Sequence, residues 1–152
     1  MITIKRLKVG DEAVAKDAIQ NLKSETSVDV LAKLCTEYLR EFLSYESNYF
    51  LVAFLDEQPL GFVLAYRLMR VDRDQDMMLF YEIVVSEENR NKGVGALLIS
   101  ELKKICRANN IMKMWVLTNE SNLAAMALYE QTGGIKDESG DEVSFTYFPD
   151  FV

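Results

Sequence analysis

The chain has 152 residues, of which 49% are hydrophobic and 27% charged, a length and apolar content that suit one domain with a real core. Its 17 basic and 24 acidic residues leave a net charge of −7, which argues against a nucleic-acid partner and favours a cationic one, or simply solubility. Histidine is absent, which excludes Ser-His-Asp and Cys-His triads, histidine-dependent zinc sites and histidine acid/base chemistry, so a base must be a carboxylate, tyrosine, lysine, cysteine or water.

In chain order, no apolar run approaches the roughly 18 residues that a membrane span needs, and residues 1–6 lack a signal-peptide block. A soluble, cytoplasmic protein without a membrane partner is expected. Residues 2–7 read as an opening strand and 11–22 as a helix begun by an acidic residue. Val28, Leu31, Cys35, Tyr38 and Phe42 then recur at helical spacing, with Thr26 or Ser27 as cap. Residues 49–55 alternate into a strand, Asp56-Glu57-Gln58-Pro59 turns the chain, and 60–66 return as the hairpin partner.

After the polar run Asp72-Arg73-Asp74-Gln75-Asp76, residues 79–85 are β-branched and aromatic, the composition of a buried strand. A helix over 93–108, a strand over 112–118, a helix over 123–132 and a last strand near 143–148 complete the order βααβββαβαβ. This order predicts one α/β (α+β) domain over residues 1–152, with a mixed, mostly antiparallel sheet and helices on both faces. Cys35 and Cys106, the two cysteines, fall on apolar helical faces and read as small buried hydrophobes rather than a disulfide pair.

The segment Arg90-Asn91-Lys92-Gly93-Val94-Gly95 joins the third helix to the strand before it. Glycine inside a helix costs about 1 kcal/mol relative to alanine, so two glycines in a first turn call for another reason. One is close approach of a ligand to bare backbone; the other is tight packing of helix on strand. Unpartnered N–H groups and the helix dipole favour an anion there, a phosphate or diphosphate, with Arg90 and Lys92 adding charged donors. The spacing fits neither GxxxxGK(S/T) nor GxGxxG.

Downstream, Asn122-Leu123-Ala124-Ala125-Met126-Ala127-Leu128-Tyr129 opens a short helix that runs on to Gly133. The two segments together resemble the acetyl-coenzyme A signatures of the GCN5-related N-acetyltransferase (GNAT) family. In the first, Arg90, Gly93 and Gly95 stand at the patterned positions; in the second, Asn122, Ala125, Leu128, Tyr129 and Gly133 do. The specific motifs cover about the last half of the chain, and the first half agrees only in the order of its elements. The departure is Gly134, where the family usually has an aromatic residue.

The resemblance implies acetyl-CoA as co-substrate, its diphosphate held by Arg90, Asn91, Lys92, Gly93, Val94 and Gly95, with Asn122 as a further contact or a helix cap. It implies a pantetheine arm bonded to exposed backbone of Ile83, Val84 and Val85, where the central strand splays from the next. It also implies that the Tyr129 phenol serves as general acid to the departing thiolate. Homodimers are common in the family.

Glu82 interrupts the apolar strand and is the candidate base, since an amine attacks only once it has lost its proton; the alternative is a surface charge on the strand's other face. For substrate, the resemblance is closest to aminoglycoside 3-N-acetyltransferases of the gentamicin and fortimicin type. It rests on Ala65-Tyr66-Arg67-Leu68, the acidic linker, residues 80–86 and Ala127-Leu128-Tyr129; that group has aspartate at the Glu82 position. A cationic small-molecule amine would then meet Glu82 and Asp76, drawn in by the acidic runs 72–76 and 137–142. A metabolic or peptide amine, a non-catalytic acetyl-CoA-binding module, and an interaction domain without a nucleotide ligand are the competing readings.

Overall fold

The structure is a computed structural model describing residues 1–23, 34–140, 143–145 and 147. The elements are β1 (Thr3–Arg6), α1 (Glu12–Leu22), α2 (Thr36–Ser44), β2 (Asn48–Leu55), β3 (Gln58–Leu68), β4 (Met77–Val85), α3 (Val94–Ala108), β5 (Lys113–Trp115) and α4 (Leu123–Gln131), with a single 3-10 turn at Glu87–Asn89. They form a five-stranded sheet in the order β1-β2-β3-β4-β5, antiparallel throughout except for the parallel β4–β5 pair.

Both faces of this sheet are covered, which is why β2 is buried almost end to end instead of alternating with polar residues. Phe50, Val52 and Phe62 pack with Ala15, Ala18 and Leu22 of α1 and Leu39 and Leu43 of α2. Leu51, Val63, Ala65, Met78 and Phe80 point the other way and pack with Leu98, Leu102 and Cys106 of α3. The period of two along each strand thus separates two cores, one under each helical layer.

Several expectations shift at their boundaries. The β2–β3 hairpin turns on Asp56 and Glu57 alone, both at positive φ (48° and 70°), and Leu55 pairs with Gln58. Pro59 therefore lies inside β3, opposite Phe54 at a β-bulge, where its missing N–H is tolerated. The second helix begins at Thr36, and Cys35 is its N-cap: the exposed Sγ accepts a bond from the Tyr38 N–H at 3.4 Å. Cys35 is thus no buried hydrophobe, and the face that enters the core is Leu39 and Leu43, leaving Tyr38 62% exposed.

Thr26, Ser27, Val28 and Leu31 lie outside the described residues. Of the last predicted strand, residues 143–145 and 147 are described and form no strand, and the remainder lies outside. Cys106 is buried as expected. Among the described residues no helix is long and apolar enough to cross a membrane.

Phe62 is 1% exposed and meets the Phe50 ring edge-on at 5.3 Å. Phe62→Ala should cost about 3–5 kcal/mol of folding free energy, read as a lower urea midpoint.

Candidate active site

The site is organised by the two ends of β4. Its register with β3 slips at Tyr81, since Leu64 faces Glu82 and Ala65 faces Phe80. The extra residue flips the alternation: Met78 and Phe80 lie in the α3 core, and beyond the bulge Ile83 and Val85 take that side while Val84 turns to the α1 side. Glu82 turns with Val84, and its carboxylate meets the Lys23 ammonium at the end of α1, 3.0 Å and 3.2 Å from its two oxygens.

The other edge of β4 opens. Its pairing with β5 runs only from Met77↔Lys113 to Leu79↔Trp115, and among the described residues no strand pairs with that edge of residues 80–85. The expected strand over 112–118 is thus three residues long, and its early end exposes the backbone edge of Ile83, Val84 and Val85.

Directly after β4 comes the turn into α3. Asn91 (φ 60°) and Gly93 (φ 82°) both take the left-handed conformation, and Gly93 is the N-cap, so it stands just before the helix and not within its first turn. The helix has no side-chain cap, and its first backbone bond is from Leu97 N–H to Gly93 C=O at 3.0 Å. The amides of the first turn therefore point outward without an intrahelical acceptor, aided by the positive end of the dipole. Arg90 folds back over the end of β4, its Nε donating to Val85 C=O at 3.3 Å.

Gly95 has a different reason to be glycine. A Cβ at this position would stand 2.9 Å from the end of the Leu128 side chain, so the two sequence motifs touch here, helix against helix. Asn122 caps α4, its side-chain oxygen accepting from Ala125 N–H at 3.1 Å. The far end of α4 closes with Gly133 N–H on Glu130 C=O (3.1 Å) and Gly134 N–H on Tyr129 C=O (2.7 Å), a Schellman arrangement with Gly133 at φ 89°. A Cβ on Gly134 would sit 2.8 Å from that same Tyr129 oxygen, which accounts for the second glycine.

One cleft of about 820 Å³ gathers most of the expected residues: Glu82, Ile83, Val84 and Val85 of β4, Arg90, Asn91, Gly93, Val94 and Gly95 at the start of α3, and Asn122 before α4. Lys23, Asn89 and Gln131 also line it. Nothing local in the sequence signals Lys23, whose partner lies 59 positions away.

Three expected residues stand apart from this cleft. Lys92 is exposed beside it. Asp76 sits just before β4, at the opposite end from the cleft, and is bonded to Arg67. Tyr129 lines a neighbouring cavity of about 500 Å³ with Phe80, Met114 and Thr132, its ring edge-on to Phe80 at 5.6 Å where β4 and β5 part. Burial pushes the Tyr129 phenol above its ordinary pKa, so it keeps its proton at neutral pH.

The acidic linker is partly neutralised. The Arg70 guanidinium, with Arg73 beside it, holds the Asp72 carboxyl below its usual range. On the Glu82 side of the sheet, Tyr66 packs edge-on against Tyr81 (5.7 Å) and Phe42 (6.1 Å). Burial first, then the nearby Tyr81, Tyr38 and Glu82, raises the Tyr66 pKa.

Comparison with known proteins shows the family and the fold. The profile of the acetyltransferase (GNAT) family matches residues 16–134. Among solved structures, the chain is similar to the aminoglycoside acetyltransferase meta-AAC0020 from an uncultured soil metagenomic sample, solved with sisomicin: TM-score 0.86, 19% identity, 98% of this chain and 97% of that one covered. It is also similar to the aminoglycoside acetyltransferase HMB0005 from an uncultured soil metagenomic sample (TM-score 0.82, 19% identity, 99% of both chains covered). A third is the aminoglycoside N-acetyltransferase AAC(6')-Iy in complex with CoA (TM-score 0.77, 16% identity, 97% and 95% covered). No curated protein sequence matches significantly.

Gly93→Ala forces a side chain into the left-handed region, at about 1–2 kcal/mol. The variant should melt earlier than the wild type and gain less stability from excess coenzyme A, both read by thermal denaturation with and without the ligand.

Proposed function

Because the chain belongs to the GNAT family of acetyltransferases, we propose that it transfers an acetyl group from acetyl-CoA to the primary amine of a small cationic molecule, an amino sugar of the aminoglycoside type being the favoured acceptor. The observation that carries this reading is the single cleft in which the first turn of α3, the open edge of β4 and the Glu82 carboxylate meet. The outward amides and the bare backbone of Gly93 fit a diphosphate, and the unpaired edge at Ile83, Val84 and Val85 fits the amide groups of a pantetheine arm. Bound there, acetyl-CoA supplies an activated acyl group as a thioester.

The protein's own residues then handle protons. An alkyl amine holds its proton to about pH 10, so it must be neutralised before it can attack. Glu82, half-buried beside the cleft, accepts that proton, directly or through water. The amine nitrogen bonds to the acyl carbon as the carbon–sulfur bond breaks. Tyr129, kept protonated by burial beside Phe80, is the group we assign to reprotonate the sulfur.

The acceptor class follows from charge and shape. Glu82 is the cleft's one carboxylate among the described residues, and the Tyr66 ring, edge-on to Tyr81, lies near it outside the cleft's lining, a setting for an ammonium. Asp76 lies at the opposite end of β4 from the cleft, which Glu82 lines, so we place the amine at Glu82. The 3-amino group is the position that the sequence resemblance singles out.

Glu82→Gln should lower kcat by about a hundredfold or more at neutral pH, and Tyr129→Phe should lower kcat while sparing coenzyme A binding. Steady-state thiol release measures both, and an unchanged kcat in either variant removes that residue's role. An acceptor screen with gentamicin, spermidine and short peptides should give the highest kcat/KM with gentamicin; a preference for peptide amines would replace the amino-sugar reading, and coenzyme A binding without turnover would indicate a sensor.

A further inference from the structure

One amine already occupies the acceptor's place. Lys23 is the only lysine among the described residues that lines the cleft, and its Nζ contacts both oxygens of Glu82, at 3.0 Å and 3.2 Å. Both side chains are partly shielded, Lys23 39% and Glu82 24% exposed. The other paired lysines are engaged elsewhere: Lys5, Lys8, Lys104 and Lys136 on surface carboxylates, Lys103 on the Thr132 carbonyl at the end of α4. An external ammonium drawn to Glu82 would have to take the position that Lys23 holds.

We propose that Lys23 is a site of self-acetylation: with acetyl-CoA bound and no acceptor present, its amine receives the acetyl group. This rests on the reading of Glu82 as base and of the cleft as the acetyl-CoA site. The Lys23 ammonium passes a proton to Glu82, and the neutral Nζ attacks the thioester carbonyl. A carbon–nitrogen bond forms and the carbon–sulfur bond breaks. The sulfur leaves with the bonding pair and takes up the proton that the attacking nitrogen sheds, becoming the free thiol of coenzyme A, while Glu82 returns its proton to water. The product is an uncharged amide, so the ion pair with Glu82 is lost and the cleft's charge balance shifts toward negative.

The test uses the full chain with acetyl-CoA and no added amine, followed by intact mass and peptide mapping. The expected result is one acetyl group on Lys23, gained roughly a hundredfold faster than on Lys5, Lys104 or Lys136 and lost when the chain is unfolded in urea beforehand. Glu82→Gln should slow the modification by about a hundredfold. Lys23→Arg should abolish it.

Equal acetylation of the surface lysines would mark the reaction as uncatalysed and overturn the proposal. An unmodified Lys23 in a chain that coenzyme A stabilises and that acetylates an added amine would overturn it while leaving the functional reading intact. Absence of any stabilisation by coenzyme A would instead defeat the reading of the cleft, and the proposal with it.

Discussion

The early parting of β5 from β4 is the constraint on which the site depends. An unpaired strand edge inside a protein leaves N–H and C=O groups without partners, which is costly unless something else bonds them. Here the edge at residues 80–85 opens onto a cleft, and the same divergence leaves room for the start of α3 beside it. A ligand with its own amide groups, ending in a diphosphate, would satisfy both the edge and the helix terminus. The bulge at Tyr81 adds the remaining element, because it sends Glu82 through the sheet to the α1 face while Ile83 and Val85 stay on the α3 face.

The glycines show how several local requirements converge on one corner. Gly93 answers a backbone requirement, a left-handed turn ahead of α3, whereas Gly95 answers a packing requirement, the close approach of Leu128. The tight-packing reading therefore holds for Gly95, while Gly93 is called for by the turn's backbone conformation. Contact between Gly95 and Leu128 also explains why two motifs more than thirty positions apart in sequence belong to one site.

Glu82, the carboxylate that lines the cleft, is balanced by Lys23, and Arg90 lines the same cleft. The chain carries an excess of acid, but Asp72, Asp76 and Glu82 are each paired with a cation. On the proposed reading, a cationic acceptor is drawn by the overall field, which acts at long range, and then competes locally with Lys23. Exposed pairs such as Arg73–Asp72 contribute little to stability and are screened by salt. The Lys23–Glu82 pair differs in position more than in strength, since it stands where chemistry is expected.

The order of elements as far as α4 was legible in the sequence alone, because strands buried on both faces and amphipathic helices leave strong periodicities, and the glycine turn before α3 and the Asn122 cap are local signals. So were the residues that line the cleft at the end of β4 and the start of α3, since they are contiguous in sequence. What only the tertiary structure decided depends on contacts between distant segments: Lys23 opposite Glu82, Leu128 over Gly95, Arg67 on Asp76, and Tyr129 against Phe80 in a cavity beside the cleft. Cys35 likewise carried a misleading helical spacing, because a cap residue and a first-turn residue differ by a backbone angle that periodicity does not encode. Periodicity specifies which face of an element is apolar; it holds no information about which other element meets that face, and those meetings are what assemble the site.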